Sequence, residues 1–196
     1  GDYGISKNPE SLATDNYRMY FTDKQRGAVL RLSNNGVTPI SDAGMKNYFR
    51  ENLKYYINIT GSVNGIDDEF NLTLHDTSKF GGFGSKTISF SESGKGWVSF
   101  KSFTPLVTAS LNDKYYSVQD NTIWVHHSDV ALRNRFYGSV MPTDANPNPT
   151  NPSSPSEITL LFNDAPGSVK SFKNINYEGS QAKVTEFTTQ SATDAA

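Results

Sequence analysis

The chain has 196 residues, a formal charge of -2 and no cysteine, so disulfides, zinc knuckles and thiol catalysis are excluded together. A pI near 5.9 supplies no basic patch for nucleic acid, and no apolar run approaches a membrane span. Hydrophobic residues make up 35% and charged residues 19%; the difference is filled by Asn, Ser, Thr and Gly. With 12 Phe and 10 Tyr, this composition predicts strands with one solvated face, joined by many turns. The chain opens Gly1-Asp2-Tyr3 without Met or a signal pattern, which reads as a portion of a longer polypeptide.

In chain order, residues 1–16 read as a flexible or linking segment. Tyr17–Phe21 and Ala28–Ser33 read as strands, and Asn35-Gly36 before Val37–Ile40 predicts a type I′ hairpin. A helix near 42–53 is expected, with Ser41 as its cap and Met45, Tyr48, Phe49 and Leu53 on one apolar stripe. Tyr55–Thr60 and Glu69–Leu74 follow as strands, and alternation of Phe70, Leu72 and Leu74 with polar residues predicts a half-buried one. Lys86–Phe90, Gly96–Phe103, Tyr115–Val118 and Thr122–His127 continue the pattern, with Asp120-Asn121 as a tight turn. The fold class expected is mainly β: antiparallel sheets, blade-like in the first block, and one short helix.

The sheet domain spans 17–141. Five of the nine prolines fall between Met141 and Ser156, so 142–156 reads as a mobile loop. Strands of the same domain resume over 157–187, with Arg135–Tyr137 and Ile158–Phe162 flanking the insertion. Residues 188–196 read as a flexible tail.

Each pattern that hints at chemistry has a simpler structural explanation. Gly81–Thr87 lacks the adjacent Gly-Lys of a phosphate loop, and a strand follows it. His126 and His127 point to opposite faces of a strand and cannot easily share a metal, so a structural histidine packed beside Trp124 is expected. Asp67-Asp68-Glu69 lacks the calcium-loop spacing and reads as a charged turn. Asn58-Ile-Thr60 and Asn71-Leu-Thr73 match the glycosylation triplet inside strands. Trp97, Phe100, Phe103, Tyr115, Tyr116 and Trp124 form an aromatic-rich centre whose platforms can bind sugars or bases. Core packing explains them more simply, with Trp97 and Ser99 on one strand face and Val98 and Phe100 on the other. No catalytic residue, cofactor or metal ligand is expected, and the chain is read as a non-enzyme.

The string Tyr20-Phe-Thr-Asp-Lys-Gln-Arg-Gly-Ala-Val-Leu-Arg-Leu-Ser33, continued through Met45, resembles large virion structural proteins of tailed bacteriophages. These include structural proteins of T4-like cyanophages and marine phages, and neck or stabilisation proteins of crAss-like phages. Gly96-Trp-Val-Ser-Phe-Lys-Ser-Phe103, Arg133–Tyr137, Phe162–Pro166 and Val169–Gln181 carry the same likeness. The resemblance implies a tail, baseplate or neck component of the virion, with other virion proteins and copies of itself as partners in a ring around the tail axis. A receptor- or glycan-binding module on the virion is the alternative. The first block also looks like a propeller-blade repeat, and an incomplete blade set leaves edges for other chains to cover.

Overall fold

The computed structural model describes residues 3–76, 84–101, 103–119, 121–129, 167, 169 and 171. The chain divides into two compact units, Gly1–Ser156 and Glu157–Ala196. The expected loop 142–156, the strands proposed within 157–187 and the tail 188–196 lie outside the described residues, apart from Gly167, Val169 and Ser171. The first unit holds every described strand and helix.

Among the described residues three antiparallel sheets form in strict chain order. The first comprises β1 (Ala13–Asp15), β2 (Arg18–Asp23), β3 (Ala28–Ser33) and β4 (Gly36–Pro39). The second holds β5 (Asn58–Asn64), β6 (Glu69–His75), β7 (Lys86–Ser91) and β8 (Gly96–Lys101), and the third β9 (Val107–Leu111), β10 (Lys114–Gln119) and β11 (Thr122–Val125). The mainly β fold with one short helix is thus as expected. The first two sheets have the four-stranded meander order of a blade.

The sheets stack through faces chosen by the period-two pattern. Tyr20 and Val29 of the first sheet meet Ile59, Phe70, Leu72, Leu74, Ile88 and Phe90 of the second, and Phe49, Leu53 and Tyr56 close the same cluster. Tyr20 lies flat on Phe70 with ring centroids 4.5 Å apart. Burying such side chains contributes roughly 1.5–3 kcal/mol each, so this interface dominates the stability of the stack.

The helix α1 is short. It covers Lys46–Asn52, is preceded by a 3-10 turn at Ile40–Asp42 and followed by another at Leu53–Tyr55. Ser41 does not cap it; Met45 occupies the cap position without a side-chain hydrogen bond, and Gly44 at φ 82° breaks the path between Ser41 and the helix. Phe49 still points inward, fully buried.

Several expectations shift in register. The Asn-Gly signal marks a hairpin, but Ser33 pairs with Gly36, so the loop is Asn34-Asn35. Of the three residues only Gly36 takes positive φ, 89°, the bulge position after an ordinary turn rather than a type I′ pair. The type I′ signature lies at Asn112-Asp113, φ 49° and 57°, joining β10 to β9, a strand that the sequence pattern did not predict. Asn121, at φ 58°, lies in the turn expected there, since Gln119 pairs with Thr122; Asp120 lies outside the described residues.

Residues 8–15 are built into the fold rather than linking to it. A 3-10 turn at Pro9–Ser11 leads into β1, and Asn8 and Ser11 are buried. The Asn8 side chain brackets Ile59, donating to its carbonyl at 2.5 Å and accepting from its amide at 3.2 Å. This close approach requires Gly61: a Cβ there would lie 2.1 Å from the Ser11 carbonyl oxygen, so only glycine admits the N-terminal turn.

Candidate functional site

The second sheet is buried on both faces, against the expectation of a half-buried β6. Asn71, Thr73, Thr87 and Ser89 are as inaccessible as Phe70, Leu72 and Ile88, because the third sheet covers the polar face. Buried polar groups need partners, and here they find one another. Ser89 Oγ donates to Asn71 Oδ1 at 2.5 Å, and Thr73 and Thr87 hydroxyls meet at 2.9 Å. The Tyr115 hydroxyl lies 2.7 Å from Ser62 Oγ and accepts from Asn71 Nδ2 at 3.3 Å.

His126 sits at this junction. Its ring meets Phe103 and Tyr115 edge-on, centroids 4.9 and 5.0 Å away, and its Nε2 is 2.7 Å from Ser117 Oγ. Burial first, then the neighbouring His127 and Lys101, push its pKa down to about 4. A hydroxyl beside an imidazole can in principle be activated as a nucleophile. Ser117 is fully buried, so no substrate carbonyl reaches its oxygen; the pair holds β10 to the end of β11. His127, at φ 58°, turns the other way and lies 3.4 Å from Asp67 and 3.0 Å from Asn64 Nδ2. Among the described residues no group of three or more potential ligands could hold a metal.

The six aromatic residues singled out from the sequence do not form one centre. A bulge at Val98 pairs Trp97 with Phe90, while Phe100 pairs with Ile88 and Ser99 with Ser89. Trp97 and Phe100 therefore share the apolar face, which corrects the alternation expected for β8. Trp97 packs on Phe49 and Phe90, centroids 4.7 and 5.3 Å away, and its indole N–H donates to the Ile40 carbonyl at 3.0 Å. Phe100 is exposed at the rim, edge-on to Tyr48. Phe103 and Tyr115 are buried around His126. The indole of Trp124, opposite Ser117 in register, donates to the Gln119 carbonyl at 3.3 Å. Tyr116 is half-buried, on the other face of β10, between Ala109 and Val125.

A charged hub with no signal in the sequence pattern ties the first sheet to the second. Glu92 accepts from the Tyr20 hydroxyl at 2.8 Å and from Arg31 at 2.6 Å, with Arg18 Nε 3.8 Å away. Burial and this carboxylate raise the Tyr20 phenol above its ordinary value. Arg18 also faces Asp68 at 4.0 Å, and Lys101 pairs with Glu69, so Asp67-Asp68-Glu69 is a charged turn whose members each meet a partner.

Two surfaces remain. The outer face of the first sheet carries Met19, Leu32 and Val37, aligned in register across β2, β3 and β4 and 38–50% exposed. The outer face of the third sheet carries Val107, Leu111, Ile123 and Val125, 47–70% exposed. These are the two ends of the stack, and they are invisible in the sequence because register alone assembles each row. No helix among the described residues is long and apolar enough to cross a membrane.

Comparison with known families adds one match. The family model described as Crassvirus muzzle protein matches residues 2–121, which takes in β1 through β10. No curated protein matches the chain.

Proposed function

The chain belongs to the Crassvirus muzzle protein family and is thereby a phage virion structural protein, and from that premise we propose that it acts by assembly, not catalysis, in the tail, baseplate or neck of the particle. The observation that carries the reading is the pair of exposed apolar end faces. A stack of sheets that ends in an apolar face at both ends has unsatisfied surface there, and larger exposed patches of this kind mark protein contacts. Partners are other virion proteins and copies of this chain. Copies that meet end face to end face make head-to-tail contacts, which close into a ring when the rotation permits; a ring around the tail axis is the arrangement proposed.

The test is Ile123→Glu together with Leu32→Glu. Both positions are exposed, so each variant should melt as the parent does, while incorporation into particles falls at least tenfold. Incorporation at the parent level would overturn the reading. The glycan-binding alternative gains little from Trp97, whose half-buried indole packs against the core on Phe49 and donates to the Ile40 carbonyl.

A further inference from the structure

The sequence contains two Asn-Gly steps, Asn35-Gly36 and Asn64-Gly65. Such a step is chemically weak. Glycine has no Cβ to shield its amide nitrogen or restrict its backbone, so that nitrogen can reach the Cγ of the asparagine side chain before it. Each step borders a hairpin turn, β3 to β4 in one case and β5 to β6 in the other. The fold places the two in opposite environments.

Asn64 is held in place and only 1% exposed. Its Oδ1 accepts from the Ile66 amide at 3.1 Å, and its Nδ2 lies 2.9 Å from Asp67 Oδ2 and 3.0 Å from His127 Nε2. Turning the carboxamide toward the Gly65 nitrogen breaks these contacts in a buried site, where unpaired polar groups are costly. Asn35 and Gly36 are both exposed. The hydrogen bond from Asn35 to Ser33 Oγ, 3.4 Å, comes from the main-chain amide and leaves the carboxamide free to turn. Gly36 takes φ 89°, and a Cβ built on it would meet nothing within 4 Å. The Ser33–Gly36 pair is also the last rung of the β3–β4 ladder, and terminal rungs open at little cost.

We propose that Asn35 is a site of spontaneous deamidation, and that its isoaspartyl product disrupts the apolar outer face of the first sheet. The Gly36 nitrogen attacks Asn35 Cγ; the new C–N bond closes a five-membered succinimide, the C–NH2 bond breaks, and the proton from Gly36 leaves with the departing ammonia. Water then opens the ring at either carbonyl. One product is aspartate. The other is isoaspartate, whose main chain runs through the side-chain methylene and is one carbon longer. Water is the only reactant consumed. Leu32 pairs with Val37 on the rung beside Ser33 and Gly36, and register decides which residues share a face. A lengthened turn therefore displaces Val37 from the row it forms with Leu32 and Met19. That consequence rests on the assembly reading above; the chemistry at Asn35 does not.

The test is peptide mapping by mass spectrometry of the full chain aged at mildly alkaline pH, with isoaspartate assayed by enzymatic methyl transfer. The expected result is conversion at Asn35 at least tenfold faster than at Asn64, and than at Asn16, an exposed asparagine followed by Tyr17. In denaturant Asn64 should react as fast as Asn35. Equal rates at Asn35 and Asn64 in the folded chain, or a rate at Asn35 no higher than at Asn16, overturn the site. A tenfold difference that persists in denaturant overturns protection by the fold. Aged parent chain should enter particles several-fold less than fresh chain, while aged Asn35→Gln, which cannot close the five-membered ring, enters as fresh. Fresh Asn35→Asp, charged but not lengthened, should enter nearly as the parent; a loss as large as that of the aged parent overturns the longer main chain as the cause. If Leu32→Glu is excluded from particles and the aged chain is not, the effect of deamidation on the face is overturned. If Leu32→Glu also enters at the parent level, the assembly reading itself has failed.

Discussion

The Tyr115 hydroxyl on β10 and Ser62 Oγ on β5 are 2.7 Å apart across 53 residues of sequence, and this contact fastens the third sheet to the second. Tyr115→Phe removes the hydroxyl and leaves Ser62 and Asn71 without it inside a buried interface. The expected cost is about 1–3 kcal/mol, the usual penalty for an unmade buried hydrogen bond. Chemical denaturation checks it. A variant as stable as the parent would mean that the polar layer is solvated.

Gly61→Ala tests the close approach of β5 to the N-terminal turn. The added methyl meets main chain, not a flexible side chain, so the Pro9–Ser11 turn must move. Overpacking of this kind costs about 1–3 kcal/mol, and proteolysis should then cut first within residues 3–16.

Glu92→Ala should destabilise by about 2–4 kcal/mol, because it strands the Arg31 guanidinium and the Tyr20 hydroxyl in a partly buried hub. Glu92→Gln, which keeps an acceptor for Tyr20, should cost less. A double-mutant cycle with Arg31→Met measures the coupling, and additive costs would show that the hub does not act as a unit.

Stability should fall with acidification. His126 has a folded-state pKa pushed down to about 4, chiefly by burial, against about 6.5 when unfolded. Above pH 6.5 the imidazole is neutral in both states and its contribution is complete. Between 6.5 and 4 the unfolded chain takes up a proton that the folded chain refuses, so stability is lost, by roughly 1–2 kcal/mol after discounting for partial solvent access. His75, also lowered by burial, adds in the same direction. The charged groups nearby are Lys101, which pairs with Glu69, and His127 beside Asp67. In His126→Gln the drop in denaturation midpoint between pH 7 and 4.5 should shrink; an unchanged drop would assign the effect elsewhere.

Tryptophan quenching separates core from platform. In Trp124→Phe the remaining Trp97 should be shielded from acrylamide several-fold relative to the free amino acid, since it packs between Phe49 and Phe90. Quenching as fast as that of the free amino acid would return Trp97 to the surface and revive a glycan platform.

Much of the fold is legible in the sequence, and the losses have physical causes. β3 is readable residue for residue because Ala28–Ser33 is a β-prone run bounded by glycine and asparagine. The polar positions Asn71, Thr73, Thr87 and Ser89 read as a water-facing stripe, since periodicity reports which residues share a face but not what covers it. The bulge at Val98 leaves no mark in composition, yet it moves Trp97 onto the face of Phe100. Glu92 is one acid in a Ser-Glu-Ser turn; its role depends on Arg31 and Tyr20 arriving from another sheet. Two of the six residues of the expected aromatic centre come together. Phe103 and Tyr115 meet at His126, while Trp97 and Phe100 belong to the other side of the sheet.

The most direct test of assembly as the function is a reconstruction of the intact particle. The expected result is several copies of this chain in a ring around the tail axis, each burying roughly 1,000 Å² or more against its neighbours through the Met19–Leu32–Val37 and Ile123–Val125 faces. Particles that lack the chain, or that hold it with both faces open to solvent, would contradict it.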